Sequence, residues 1–198
     1  MNHLTPIYYP MISLKQTNSA ALSVQRELFA VGLWYENTKL IKTNVYWSAM
    51  PCLGITDALG FFTIGVSFMN KIQGLEEGHI YIPKWVLSQG FNQNRGSLRE
   101  IIRHEYGHAV AHYYPELIDN STDFEKVFGA AYYSNEPTGM EEGAYISAYA
   151  ASMPMEDFAE TFMVFVRRKG IVPSKISNKK LLAKWQFLAN LCNIISLK

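Results

Sequence analysis

His104, Glu105 and His108 are the residues whose types and spacing are best suited to chemistry. Positions four apart on a helix share a face, so both imidazoles can reach one metal ion. Glu105 points slightly around that face, where its carboxylate can meet a water without taking a ligand position. This H-E-x-x-H arrangement suits metal-assisted hydrolysis with the carboxylate as general base. Ile101, Ile102, Ala109 and Val110 make the surrounding helix apolar, so it would carry the group into the interior. Two satisfied core histidines are the plain alternative.

A catalytic zinc takes three protein ligands and keeps one position open. His112 continues the spacing of four, but eight residues of helix rise about 12 Å, too far for one ion to be held from both ends. An extended motif with Gly and a third His further along is excluded, because Ala111 and Tyr114 stand there. His3 and His79 have no supporting pattern. The better source is Glu156-Asp157-Phe158-Ala159-Glu160. On a helix Glu156 and Glu160 share a face while Phe158, Phe162 and Phe165 turn to the core, and Asp157 lies off that face. One carboxylate can bind zinc while the other accepts the Nδ1–H of a ligand histidine and fixes its tautomer. Without the histidine helix beside it, the same segment would read as a solvated acidic stripe.

These side chains need elements to position them. Residues 19–32 have helical apolar spacing and end at Gly32, a C-terminal cap. Strand-like runs follow at Asn44–Ala49, Phe61–Met69 and Gly78–Pro83, then a helical turn at Trp85–Gln89. Ser97 caps a helix from about Leu98 to Tyr114, with Glu100 completing a capping box and Pro115 stopping it. Asn120–Asp123 opens a short helix through Phe128. Tyr132–Gly143 is a polar loop, either a lid or substrate wall or a mere surface connection. Met153-Pro154 starts a helix to about Lys169. A final helix from about Ser177, within a basic C-terminal stretch of about 174–196, has Leu181, Trp185, Leu188 and Cys192 along one face. Helix, then strands, then helices alone predicts an α+β fold, with a small N-terminal mixed sheet, an active-site helix and a mostly helical C-terminal half.

The chain has 198 residues, 48% of them apolar and 18% charged, which suits one domain over residues 1–198. Leu53–Met69, the most apolar stretch, is broken by Gly54, Asp57, Gly60 and Gly65 and does not read as a membrane span. The N-terminus lacks a signal-peptide pattern, and Cys52 and Cys192 form no metal-type pair. Together these predict a reduced, cytoplasmic protein, or one exported without such a signal. Charge is uneven: residues 1–160 hold 17 acidic and 10 basic side chains, whereas residues 161–198 hold eight basic and no acidic ones. That tail reads as a solvated helix face, or as a surface that docks an acidic partner. No nucleic-acid motif accompanies it.

HEYGHAV followed by SAYAASMPMEDFAETF resembles the compact gluzincin metallopeptidases. These include a zinc-binding metallopeptidase family with a Y-A-x-x-x-P-x-E-D-F/W-A-E-T-F/W segment, the anthrax lethal factor catalytic domain and the Pro-Pro endopeptidases. The resemblance covers about residues 78–166 and implies a zincin-like domain. It implies His104, His108 and Glu156 as Zn2+ ligands, Glu105 as the base, and Glu160 as partner of a ligand histidine. Tyr149 would stabilise the oxyanion, with Tyr145 as its rival, and Gly107 would let a neighbouring helix approach. The expected function is that of a zinc-dependent endopeptidase acting on a protein or peptide substrate. A narrow regulatory protease of repressor-cleaving or effector type is the related alternative. A zinc-binding interaction scaffold without catalysis is the alternative from another class.

Overall fold

In a computed structural model, the elements follow the expected order of helix, strands and helices. Residues 12–48, 61–64, 78–83, 97–135 and 141–198 are described. The readings at His3, Cys52, residues 65–69 and Trp85–Gln89 lie outside the described residues, as do residues 136–140 of the polar loop. Among the described residues, no helix is long and apolar enough to cross a membrane.

Helix α1 spans Leu14–Ala30, starting earlier than the apolar pattern suggests because Ser13 and Gln16 form a capping box. The Ser13 amide donates to Gln16 Oε1 at 2.8 Å, and the Gln16 amide donates to Ser13 Oγ at 3.2 Å. That satisfies amides the first turn would otherwise leave open. Gly32 has φ +83° just beyond the last turn, as expected of a helix-ending glycine. Ala20, Ala21, Val24 and Leu28 form the buried face of α1.

Strands β1 (Asn44–Ser48), β2 (Phe61–Ile64) and β3 (Gly78–Pro83) form one mixed sheet with β3 in the centre. β1 pairs with β3 in parallel and β2 pairs with it antiparallel. Ile80 and Ile82 alternate along β3 and are fully buried. Tyr81 stacks on Tyr46 with ring centroids 5.5 Å apart. The unsupported His79 is a buried sheet residue packed beside both tyrosines.

The next helix, α2 (Leu98–Tyr113), has the expected start: the Ser97 amide donates to Glu100 Oε2 at 2.7 Å. Its far end is tied to the sheet, since the Gly78 amide donates to the Tyr113 hydroxyl at 2.5 Å. A 3-10 turn at Lys39–Lys42, which no sequence pattern suggested, donates the Lys39 amide to Tyr114 Oη at 3.1 Å. Arg103, buried beside His104, grips Glu27 of α1 with two nitrogens at 2.5 and 2.8 Å. Between them these contacts fix how far α2 can turn or slide.

Helices α3 (Thr122–Phe128), α4 (Pro154–Arg167) and α5 (Lys179–Ser196) complete the described α-helices. α4 packs antiparallel along α2. Glu100 pairs with Arg167, His104 with Glu160 and His108 with Glu156, so positions rise along one helix as they fall along the other. Phe158, Phe162 and Phe165 are buried as expected. The basic side chains of the C-terminal stretch are exposed, as a solvated face requires, with Lys184 the exception. Lys184 is 3% exposed against Asp157, and Lys180 and Lys198 pair with Glu141 and Glu116 at the surface.

Candidate metal centre

The close approach of α4 to α2 depends on Gly107. A Cβ built there would lie 2.9 Å from Ala159 Cα and 3.3 Å from Ala159 Cβ. Any larger residue would push the helices apart at the level of the two histidines. With Gly107, residues from two elements more than forty positions apart in sequence converge. His104 Nε2 and His108 Nε2 are 3.1 Å apart, and Glu156 Oε2 lies 3.1 Å from the first and 3.8 Å from the second. Ligand atoms about 2.1 Å from a tetrahedral zinc stand roughly 3.4 Å from one another, so this triangle is the right size.

The donor chemistry fits as well. Glu156 Oε2 is buried and makes no well-aligned hydrogen bond, although it faces two imidazole nitrogens. A buried carboxylate oxygen turned towards two imidazole nitrogens is a donor set that suits a cation. Among the described residues, His104, His108 and Glu156 form the only histidine, cysteine and carboxylate group compact enough to hold a metal ion.

Each imidazole is oriented by its other nitrogen. His104 Nδ1 lies 2.9 Å from Glu160 Oε1, so Nδ1–H donates there and Nε2 is left for the ion. Glu160 Oε2 accepts from Ser147 Oγ at 2.7 Å, and Ser147 Oγ accepts the Ala150 amide at 3.0 Å. His108 Nδ1 lies 2.9 Å from the Tyr132 hydroxyl oxygen, so that in the tautomer with Nε2 left for the ion Nδ1–H donates there. Burial keeps Tyr132 a neutral phenol, with its pKa pushed well above the usual value. Phe124 and Phe158 hold its ring edge-on at 5.7 and 6.0 Å.

Electrostatics separate the two histidines in the metal-free protein. Burial alone would lower His104, but the carboxylates of Glu156 and Glu160 outweigh it and raise its pKa to about 10. His108 is lowered to about 4, by burial and then by the charge on His104. Burial also works against the charge on Glu156 and Glu160, yet His104 holds both below the usual carboxylate range. The metal-free group therefore keeps one proton among its carboxylates, on an imidazole that an ion would need.

Glu105 is buried on α2, between the histidines in sequence. Tyr149 borders the group, its ring centroid 6.0 Å from His104 and its side chain 56% exposed. Burial and then the charge of Glu156 raise its pKa, so its hydroxyl remains a hydrogen-bond donor. The rival Tyr145 is engaged elsewhere, with Lys184 Nζ 4.1 Å over its ring. His112, the ligand excluded by helix rise, is outside the group and packs against Tyr113.

Sequence reasoning missed Tyr132 and Ser147. Ser147 opens the quoted downstream motif, but a serine alone signals nothing. Tyr132 was grouped with the polar loop, although at 2% exposed it is part of the core. Its place in a Tyr-Tyr pair, with Tyr133 62% exposed, was the faint available sign.

No curated protein and no solved structure matches the chain. Likeness to lethal factor or to the Pro-Pro endopeptidases therefore has no support from these comparisons. Residues 89–172, which include every residue of the centre, match the model of a family described as "putative zinc-binding metallo-peptidase". Zinc is thus the ion the matched family is described as binding, and the His104, His108 and Glu156 group is positioned to hold a metal ion.

Proposed function

We propose that the chain is a zinc-dependent endopeptidase of the gluzincin type, with a zincin-like domain that hydrolyses peptide bonds of a protein substrate. The observation that carries this reading is the convergence of two imidazoles and an unsatisfied carboxylate oxygen, with a buried glutamate beside them. His104, His108 and Glu156 would hold the ion. Bound there, zinc supplies a Lewis acid that polarises a carbonyl and makes water easier to deprotonate.

The remaining chemistry belongs to the chain. Glu105 takes the proton of the attacking water and later gives it to the leaving amine. Tyr149 donates a hydrogen bond to the carbonyl oxygen as it gains charge, an interaction worth about 3–4 kcal/mol where such donors have been removed. Glu160 and Tyr132 hold the imidazoles in the tautomers that leave Nε2 free. A site built only to hold zinc needs neither a base nor an open position.

The test is cleavage of a peptide library read by mass spectrometry, with zinc content measured in parallel for wild type and Glu105→Gln. Cleavage by wild type, lowered about 10²–10⁴-fold in Glu105→Gln with zinc retained, is the expected result. Wild-type protein that binds zinc but cleaves nothing would turn the reading towards a non-catalytic zinc scaffold.

A further inference from the structure

Lys184 lies on α5, outside the metal centre, yet it touches both segments that build it. Its Nζ is 2.6 Å from Asp157 Oδ2, donates to the Ala144 carbonyl at 2.7 Å, and stands 4.1 Å over the Tyr145 ring. Lys184 is 3% exposed and Asp157 fully buried. Asp157 adjoins Glu156 on α4, and Ala144 precedes Ser147 and Tyr149 by three and five residues.

The segment 141–153 has little regular structure of its own. It comprises turns and one short 3-10 stretch, Ala150–Ser152, so tertiary contacts must hold it. α5 supplies several. Lys180 pairs with Glu141 at 2.5 Å and Asn178 Nδ2 donates to the Glu142 carbonyl at 3.3 Å, both at the surface where such contacts count for little. Lys184 is the buried one, and it acts on the backbone.

Stability alone gives little reason to keep this lysine. A buried ion pair can often be replaced by well-packed apolar residues at no loss, whereas removing one partner is costly. The Ala144 carbonyl takes a second ammonium hydrogen and so ties the backbone of the segment to the buried pair. We propose that Lys184 is a positioning residue for the metal centre: it fixes residues 144–149, and with them Ser147 and Tyr149, against the helix bearing Glu156 and Glu160. The role assigned to Tyr149 rests on the peptidase reading; the ordering of the segment does not.

The single variant Lys184→Met would leave Asp157 buried and unpaired, so the decisive variant is Lys184→Met with Asp157→Asn, which removes both charges. Three quantities are measured on the full chain: hydrogen exchange at the Ala150 amide, the visible spectrum and affinity of the cobalt(II) form, and kcat and KM on a peptide the wild type cleaves. The expected result is a folded double variant with exchange at Ala150 about tenfold faster. Cobalt affinity should fall about tenfold with an altered spectrum, because the Ser147–Glu160–His104 chain is loosened. kcat should fall about tenfold while KM stays within about a factor of three, because Tyr149 acts as the carbonyl gains charge.

A folded double variant with wild-type exchange and an unchanged cobalt spectrum overturns the proposal, since Lys184 then only neutralises Asp157. A double variant that no longer folds also overturns it, because the lysine would then serve the core and not the order of the site. Failure of the wild type to cleave any peptide would count against the peptidase reading, while exchange and cobalt binding would still decide this one.

Discussion

Glu156 and Asp157 are neighbours on α4, both buried, and they face different surroundings. Asp157 looks into the core, where the chain supplies its own cation in Lys184 at 2.6 Å and a Thr161 hydroxyl at 3.3 Å. Glu156 looks towards α2, where it meets two imidazoles and a proton on one of them. Burial penalises either charge, and the protein offsets that penalty in two ways. On one face it does so with an ion pair to a lysine of the same chain. On the other it does so with a protonated imidazole 3.1 Å away, whose place an external cation can take. Two acids of nearly the same chemistry thus meet an internal cation and a group suited to an external one, separated by the roughly 100° between successive residues of a helix.

The comparison is broken most forcefully by removing each acid in turn. Asp157→Ala leaves Lys184 buried and alone, and unfolding measured in denaturant should show a loss of about 3–5 kcal/mol. Glu156→Gln should keep the fold and lose the metal, with zinc affinity falling by more than the roughly 100-fold typical of a supporting residue. If Glu156→Gln binds zinc as wild type does, the two acids have been assigned to the wrong roles.

Next in size is Gly107→Ala, which tests whether helix separation itself sets the site. The added methyl meets the Ala159 backbone at 2.9 Å, so a stability loss of about 1–3 kcal/mol is expected. Zinc affinity should fall with it; a destabilised protein of unchanged affinity would separate spacing from ligation.

Tyr132→Phe removes the acceptor of His108 Nδ1–H while preserving the ring. Zinc affinity measured by competition should drop about 10-fold or more, with little change in the melting temperature.

Acidity gives a related test of the metal face. His104 is raised from 6.5 to about 10 in the metal-free protein. Its protonated form therefore stabilises the metal-free fold fully below about 6.5, and that contribution is lost as pH rises through about 10. Zinc must displace this proton, so affinity should strengthen with pH across that window, about tenfold per unit. Calorimetry in buffers of different ionisation enthalpy should detect the released proton, and the same heat in every buffer would exclude it. The smallest effect belongs to the surface: Lys198→Met, breaking the exposed pair with Glu116, should change stability by less than about 1 kcal/mol.

Local patterns were readable without a fold. His104, Glu105 and His108 lie within one turn, so helix geometry alone brings the imidazoles together, and the Ser97–Glu100 box and Pro115 bound that helix by local hydrogen bonding and sterics. Glu156, Glu160 and the phenylalanine face of α4 followed from the same periodicity. The 3-10 turn at Lys39 was not legible, because its amide is satisfied by a tyrosine seventy-five residues away.

By itself, then, the sequence determined which side chains share a face, and so which could act together from a single helix. Tertiary structure decided the rest. It set α4 against α2 through Gly107, chose Glu156 over Glu160 for the metal side, placed Tyr149 and not Tyr145 beside His104, and put Tyr132 under His108. The physical reason is range: helix periodicity is carried by hydrogen bonds four residues long. The choice among neighbouring acids and tyrosines instead depends on what packs across from them, and those partners are distant in the chain.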